Sequence, residues 1–245
     1  MNLRPIGIAA SWVVLLVIGV TGCAGEAETK APAKPKTFAE QSAEKIQQQV
    51  VADMKELKSL RLAGDIDNAG QVLGLDLALN TDGACAGSIA MSGATGKLIA
   101  GPQGQFLKGG KAFWTAAVGD KEAAAQITKA LGDKWAKMPD EGAGFASFCD
   151  LDELLSEFDA VDAENSTIEV GDVVDLAGSS VVPLVSKDGE GQETTAWVSL
   201  EAPHYIMQLK SGAAESSGTV TLSDFDIAVD AQAPAKKDYV DLAKI

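Results

Sequence analysis

Residues 73–79 read LGLDLAL, with a leucine at every second position and small or polar residues between them. An alternation of period two places one set of side chains on a single face of a β-strand. Similar runs lie on either side, at residues 60–66 and 85–91, with turn residues between them. We therefore predict a meander of neighbouring antiparallel strands in this half of the chain. Three shorter strands are predicted at residues 98–100, 105–107 and 112–114.

Three segments are predicted as helices. Residues 37–57 repeat apolar side chains every three or four positions, which is typical of one apolar helix face. Thr37 and Glu40 have the spacing of a capping box at the start of this helix. The other two helices are predicted at residues 120–131 and 150–158, each beginning at an aspartate.

The last third of the chain returns to a period of two. The predicted strands are residues 167–176, 180–186, 194–200, 205–209 and 219–229. One helix, a meander, two helices and a second meander predict an α+β fold. The simplest arrangement is one curved antiparallel sheet with helices inside or across it. A sheet that wraps helices without closing leaves an apolar cavity.

The N-terminus predicts export and a lipid anchor. Arg4 precedes an apolar run at residues 6–20, which is shorter than the roughly 20 residues that span a membrane. Residues 20–23 (VTGC) resemble the bacterial lipobox, which implies removal of residues 1–22 as a signal peptide and attachment of diacylglycerol, with acyl chains such as palmitate, to Cys23. The alternatives are an ordinary secretory signal with a chance cysteine and an uncleaved membrane helix.

The segment after Cys23 predicts a tether. Residues 23–36 are almost wholly Ala, Gly, Pro, Lys, Glu and Thr after the cysteine, a composition that cannot bury enough apolar surface to fold. We predict a disordered tether here and a single domain over residues 37–245. The protein is then expected at the outer, extracytoplasmic face of the cell membrane, which it contacts through the lipid anchor.

Charge and cysteine content narrow the function classes. The chain carries a formal net charge of −15, which argues against a nucleic-acid partner because such binding relies on Lys and Arg. Cys85 and Cys149 lie in an exported chain, where disulfides persist, so we predict a bond between them, with two free thiols as the alternative. Two thiols and the lone His204 are a poor metal set, and we predict no metal or cofactor.

Catalytic motifs are weak in this sequence. His204 has no Gly-x-Ser-x-Gly nucleophile elbow to accompany it, and residues 108–111 (KGGK) lack the spacing of a phosphate-binding loop. Residues 65–76 match a calcium loop poorly, and the acidic residues between 150 and 164 fit a solvated helix face. We predict that the protein is not an enzyme, and an unrecognised hydrolase with paired carboxylates is kept as a rival.

Residues 195–209 (TAWVSLEAPHYIMQL) and 218–225 (GTVTLSDF) give a strand, a turn, a returning strand and a closing strand. In the order and residue pattern of these segments, the chain resembles the LppX/LprG family of mycobacterial lipoproteins, which is related in fold to the carrier LolA. The resemblance covers residues 38–240 and includes the early helix that runs into residues 59–62. The two cysteines and the acidity of the chain depart from the family.

The resemblance implies a half-barrel of antiparallel strands wrapped over helices. It also implies a membrane-anchored protein that binds or carries an acylated lipid or glycolipid in an apolar cavity. The candidate cavity residues are Leu62, Ile66, Leu73, Leu75, Leu77, Leu79, Ile89, Trp114 and Trp197. On the residues alone, an ordinary packed core explains the same side chains. The alternative function is therefore a cell-envelope interaction module with a packed core, an envelope protein partner and no lipid ligand.

Overall fold

The alternating segments form one continuous sheet. The computed structural model describes residues 37–68, 70–139, 147–157, 167–212 and 216–244. The strands of the first half are β1 (Ser59–Asn68), β2 (Gln71–Asn80), β3 (Cys85–Met91), β4 (Ala94–Gly101), β5 (Gly104–Gly109) and β6 (Trp135–Lys137). Those of the second half are β7 (Thr167–Val170), β8 (Val174–Leu176), β9 (Ser179–Lys187), β10 (Glu193–Ser199), β11 (Ile206–Gly212), β12 (Ser216–Ser223) and β13 (Tyr239–Asp241).

The sheet joins two meanders through its central pair of strands. Its order is β13-β6-β5-β4-β3-β2-β1-β12-β11-β10-β9-β7, and β8 also pairs with β9. Every pair is antiparallel except β13 with β6. The sheet is curved and does not close on itself, which confirms the predicted α+β fold with a curved antiparallel sheet.

The register separates an inner, apolar face from an outer, polar face. Leu62 lies opposite Leu77 on one side and Leu222 on the other, and Leu77 and Leu222 are buried. The inner face packs against the helices, because Ile46, Val50 and Met54 belong to the same core. The α-helices of the described residues are α1 (Ala43–Lys55), α2 (Lys111–Val118), α3 (Lys121–Leu131) and α4 (Leu151–Glu157).

The first helix begins later than the sequence predicts. Residues 38–40 form a single 3₁₀ turn, with the Glu40 carboxylate accepting hydrogen bonds from the Thr37 N–H and hydroxyl at 2.8 Å. The backbone is extended at Gln41 and Ser42, and α1 starts after them. The ring of Phe38 stacks on His204 with centroids 3.6 Å apart. This long-range contact outweighs the local preference to continue the helix.

The strand predicted at residues 112–114 is wrong, because these residues lie in α2. Alanines, which favour helix, fill much of this segment, and Gly119 ends it at a φ of 72°. Phe113 and Trp114 are both buried, so two adjacent apolar residues in a buried helix were mistaken for a strand.

Two predicted strands in the last third are shorter than expected. Residues 167–176 divide into β7 and β8, and the strand expected at residues 219–229 ends at Ser223. The second ends because Asp224 and Asp226 adopt left-handed φ values of 49° and 57°, which a strand cannot contain. The chain then crosses the outer face as residues 224–238, which we call the crossing segment, and reaches the far edge of the sheet as β13.

Helix α2 is seated on two glycines of the sheet. Gly96 and Gly109 lie opposite each other on β4 and β5, and a Cβ at either position would overlap the ring of Phe113. The missing side chains therefore let the ring lie flat against the strands. The buried ring in turn fixes the position of α2.

Replacing Gly109 by alanine should lower the free energy of unfolding by about 1–3 kcal/mol, because overpacking forces the Phe113 ring and α2 to shift. Urea denaturation of Gly109→Ala measures the effect. Gly101→Ala is the matched control, since a Cβ there meets nothing within 4 Å and φ is unrestricted. Equal stability of the two variants would contradict the seating of Phe113.

Candidate functional site: two apolar cavities on the inner face

The first cavity lies between α1 and the second meander. Its volume is about 240 Å³. We call it the α1 cavity, and its lining is Gln47, Val50, Val51, Ile168, Leu184, Ser186, Thr194, Ala196, Val198, Ile206 and Leu209. Its walls are almost entirely apolar, so it suits a hydrocarbon better than water.

A second cavity lies next to it, beneath α4. Its volume is about 180 Å³, and we call it the α4 cavity. Its lining is Leu62, Ile66, Leu154, Leu209, Ser211, Ser217, Gly218, Val220 and Leu222. Leu209 on β11 lines both cavities, so the two spaces lie on either side of one side chain.

The space arises from small residues at inward positions of the second meander. Ala196 lies in register with Leu184 and Leu209, where a larger side chain would reach across to α1. Gly218 pairs with Ile66 and leaves the floor of the α4 cavity open. The first meander instead has leucines at the equivalent inward positions, and these fill the space.

A row of hydroxyl side chains crosses the inner face at one end of the cavities. Thr194 is in register with Ser186 on one side and Ser211 on the other. The next row toward the core holds Leu184, Ala196 and Leu209. The site is therefore amphipathic along the strands, with hydroxyl groups at the hairpin end and hydrocarbon below them.

A disulfide holds α4 against the sheet. Cys85 of β3 and Cys149 are bonded, with Cα atoms 5.4 Å apart, and both are buried. Cys149 closes the 3₁₀ turn that leads into α4, whose Asp150 accepts a hydrogen bond from the Glu153 N–H at 2.9 Å. Because Leu154 of α4 lines a cavity, the disulfide fixes one cavity wall.

The residues predicted to line a cavity divide into three groups. Leu62 and Ile66 line the α4 cavity. Leu73, Leu75, Leu77, Leu79 and Ile89 belong to the packed core of the first meander, with Leu73 only partly buried, and Trp114 is buried on α2. Trp197 alternates with Ala196 and Val198 along β10, so it faces the outer side of the sheet. Neither cavity is lined by the last two groups.

His204 ties the loop between β10 and β11 to the first helix. Its N–H donates to the Asp53 carboxylate at 2.7 Å, and Nδ1 lies 3.1 Å from the Ser199 carbonyl oxygen. The phenol of the neighbouring Tyr205 has a raised pKa because of burial and the nearby Asp226 carboxylate. All these contacts hold the loop in place, and none presents a nucleophile to the imidazole.

Other sequence candidates have structural roles in the part of the chain that is described. Asp67, in the segment compared with a calcium loop, accepts a hydrogen bond from the Gly70 N–H at 2.7 Å in the β1–β2 turn. Across the described ranges, no group of three or more His, Cys, Asp or Glu residues is placed to hold a metal. None of the described helices is long and apolar enough to span a membrane.

The predicted anchor lies outside the described residues. The signal peptide at residues 1–22, the lipidation of Cys23 and the tether at residues 23–36 therefore stay predictions, as does the single domain over residues 37–245. The acidic residues between 158 and 166 also lie outside the described residues.

No family model and no curated protein sequence matches the chain. Among solved structures, LprF from Mycobacterium bovis is similar with a TM-score of 0.54 and 13% identity, over 79% of this chain and 97% of that one. The lipoprotein LppX from Mycobacterium tuberculosis is similar with a TM-score of 0.49 and 13% identity, over 76% and 95% of the two chains. The likeness to LprF shows that the chain shares its fold, which confirms in structure the resemblance to the LppX/LprG family.

Proposed function

We propose that the protein is a non-enzymatic lipoprotein of the cell envelope that binds or carries an acylated lipid or glycolipid on the inner face of its sheet. The observation that carries this proposal is the pair of apolar cavities meeting at Leu209. Two adjoining hydrocarbon spaces suit acyl chains, since few polar groups line them. The fold shared with LprF supports the same class of protein.

The energetics favour occupation. Each acyl methylene that leaves water for an apolar site contributes about 0.8 kcal/mol. An empty α1 cavity leaves its apolar wall atoms without packing partners, which costs free energy. A hydrocarbon chain recovers part of this energy, whereas water finds few hydrogen-bond partners on such walls.

The hydroxyl row sets the orientation of the ligand. Acyl chains lie along the apolar row that contains Ala196 and Leu209. Their ester or amide groups, and the polar headgroup, lie toward Thr194 and Ser186, whose hydroxyls donate and accept hydrogen bonds. This arrangement keeps the charged or polar part of the lipid out of the hydrocarbon region, where it would be costly.

The predicted anchor places this binding domain at the membrane. Acyl chains on Cys23 hold the protein to the outer face, and the segment of residues 23–36 lets the folded domain extend from the surface. The net charge of −15 keeps the domain itself from lying on an anionic membrane. The ligand then exchanges between the membrane and a domain held close to it.

Native mass spectrometry of the soluble Cys23→Ala form tests the function. The protein is secreted from its own host and purified without detergent, and we expect a co-purifying mass that extraction identifies as an acylated lipid. A clean apo mass, with no uptake of added envelope lipids, would contradict lipid binding. That result would favour the alternative function, a cell-envelope interaction module. Crosslinking would then identify its protein partner.

A further inference from the structure

The outer face of the sheet has a groove that lipid binding does not use. Its volume is about 530 Å³. Ala86, Gly87 and Ser88 of β3 give it a floor of small residues, and Asp230 and Gln232 of the crossing segment also line it. We call it the outer groove, and its lining is Arg61, Asp76, Ala86, Gly87, Ser88, Lys97, Leu98, Ile99, Trp135, Asp230 and Gln232.

A row of polar side chains from four adjacent strands begins in this groove and ends at Lys108, which lies next to the lining residue Lys97. Asp76 pairs with Ser88, Ser88 with Lys97, and Lys97 with Lys108. The Lys108 ammonium lies 6.0 Å from the centre of the Trp135 ring on the next strand. The row therefore runs from an acid through a hydroxyl to two cations and an aromatic ring.

The two lysines face each other without a compensating acid. Lys97 and Lys108 are directly opposite on β4 and β5, and like charges in such pairs are destabilising. No carboxylate of the described residues forms an ion pair with either one. In a chain with a net charge of −15, two adjacent uncompensated cations favour an external anion.

Asp76, one of the two acids of the groove, has a carboxylate oxygen that accepts no hydrogen bond. Asp76 Oδ2 accepts a hydrogen bond from Arg61 Nη2 at 2.8 Å, and this bond raises the pKa of the Arg61 guanidinium. Asp76 Oδ1 lies 2.7 Å from the same nitrogen, without hydrogen-bond geometry, and is shielded from solvent. The Arg61 guanidinium balances the charge of this oxygen, and a ligand hydroxyl would supply the hydrogen bond that it lacks.

We infer that the outer groove binds a saccharide that carries an anionic group, a phosphate or a carboxylate. The anionic group lies at Lys97 and Lys108, a sugar hydroxyl donates to Asp76 Oδ1, and the sugar ring packs over the small floor beside Trp135. The groove is far larger than a simple ion needs, and it offers both donors and acceptors. The site is separate from the two lipid cavities, since it lies on the opposite face of the sheet.

NMR titration of the soluble Cys23→Ala form tests this site, with the Trp135 indole signal assigned by Trp135→Phe. Glucose 6-phosphate and glucuronate serve as anionic saccharides, and glucose and inorganic phosphate as partial probes. We expect a saturable shift with at least one anionic saccharide and at least tenfold weaker binding of both partial probes. No shift with either anionic saccharide, or equal binding of phosphate alone, would overturn the inference.

Two lysine variants distinguish binding from folding. Lys97→Gln should weaken binding at least tenfold, while its melting temperature without ligand rises at low salt because a like-charge pair is removed. Lys210→Gln, an exposed strand lysine outside the groove, should leave binding unchanged. Unchanged binding in Lys97→Gln would overturn the inference. Absence of lipid in the cavities would not affect this result, so the two proposals fail separately.

Discussion

Removing the Cys85–Cys149 disulfide should lower the free energy of unfolding of the domain by about 4 kcal/mol, the chain-entropy cost of a 64-residue loop. This loss is a large fraction of the free energy of unfolding of a typical domain, which is roughly 5–15 kcal/mol. Urea denaturation of the oxidised protein and of Cys85→Ala/Cys149→Ala measures the difference. A reducing agent should reproduce the effect in the parent protein and have none in the double variant.

The same change should loosen one wall of the lipid site. The bond joins β3 to the turn before α4, and Leu154 of that helix covers the α4 cavity. We therefore expect faster amide hydrogen exchange in α4 on reduction, while β10 and β11 keep their protection. Unchanged stability and unchanged exchange would show that the packing of α4 holds it in place without the bond.

Much of the fold is predictable from the sequence because the inner face follows a strict alternation. Leu75, Leu77 and Leu79 are buried at 6%, 0% and 1% exposure, as the period of two requires. Asp120, the aspartate at which the second helix is predicted to begin, is the N-cap of α3 and accepts a hydrogen bond from the Ala123 N–H at 2.7 Å. Local patterns of this kind depend only on neighbours in the sequence, so a single chain reveals them.

Features that depend on distant contacts are not predictable in the same way. The sequence pattern predicts a strand at Phe113, because it does not show that the Phe113 ring packs on two glycines of β4 and β5. The late start of the first helix likewise depends on a stack between Phe38 and His204, which lie far apart in the chain. In both cases tertiary packing decides a local structure that propensity leaves open.

The candidate site was only partly predictable for a related reason. We predict from the sequence that large apolar residues line the cavity. Large side chains fill the interior, however, and the cavities lie where the residues at inward positions have small side chains. Ile66 lines the α4 cavity beside Gly218, its partner on the adjacent strand, and Leu62 lines it beside its own partner Leu222. The feature of the sequence that indicates the cavities is a set of small residues at inward positions of four strands in the second meander: Ser186, Thr194, Ala196, Ser211 and Gly218. Reading it requires the strand register, which the sequence alone does not fix.

Filling the α1 cavity from within should abolish most lipid binding without harming the fold. In Ala196→Phe the new ring occupies the space between β10 and α1, so we expect lipid occupancy in native mass spectra to fall at least tenfold. Filling an apolar void also restores packing, and the melting temperature should stay equal or rise. A charge at Leu75 or Leu77 is a poorer test, because both side chains are buried in the core and the variant would unfold.

The neighbouring residue provides the control. Thr195 lies on the same strand but faces the outer side, so Thr195→Phe adds the same ring without entering the cavity. Loss of lipid in Ala196→Phe with normal occupancy in Thr195→Phe would place the acyl chain against β10. Normal occupancy in a stabilised Ala196→Phe would show that the ring fills a space which lipid does not use. The lipid would then have to lie in the α4 cavity. That cavity cannot be filled by a larger residue at its small inward position Gly218, because a Cβ there would overlap the backbone of β1.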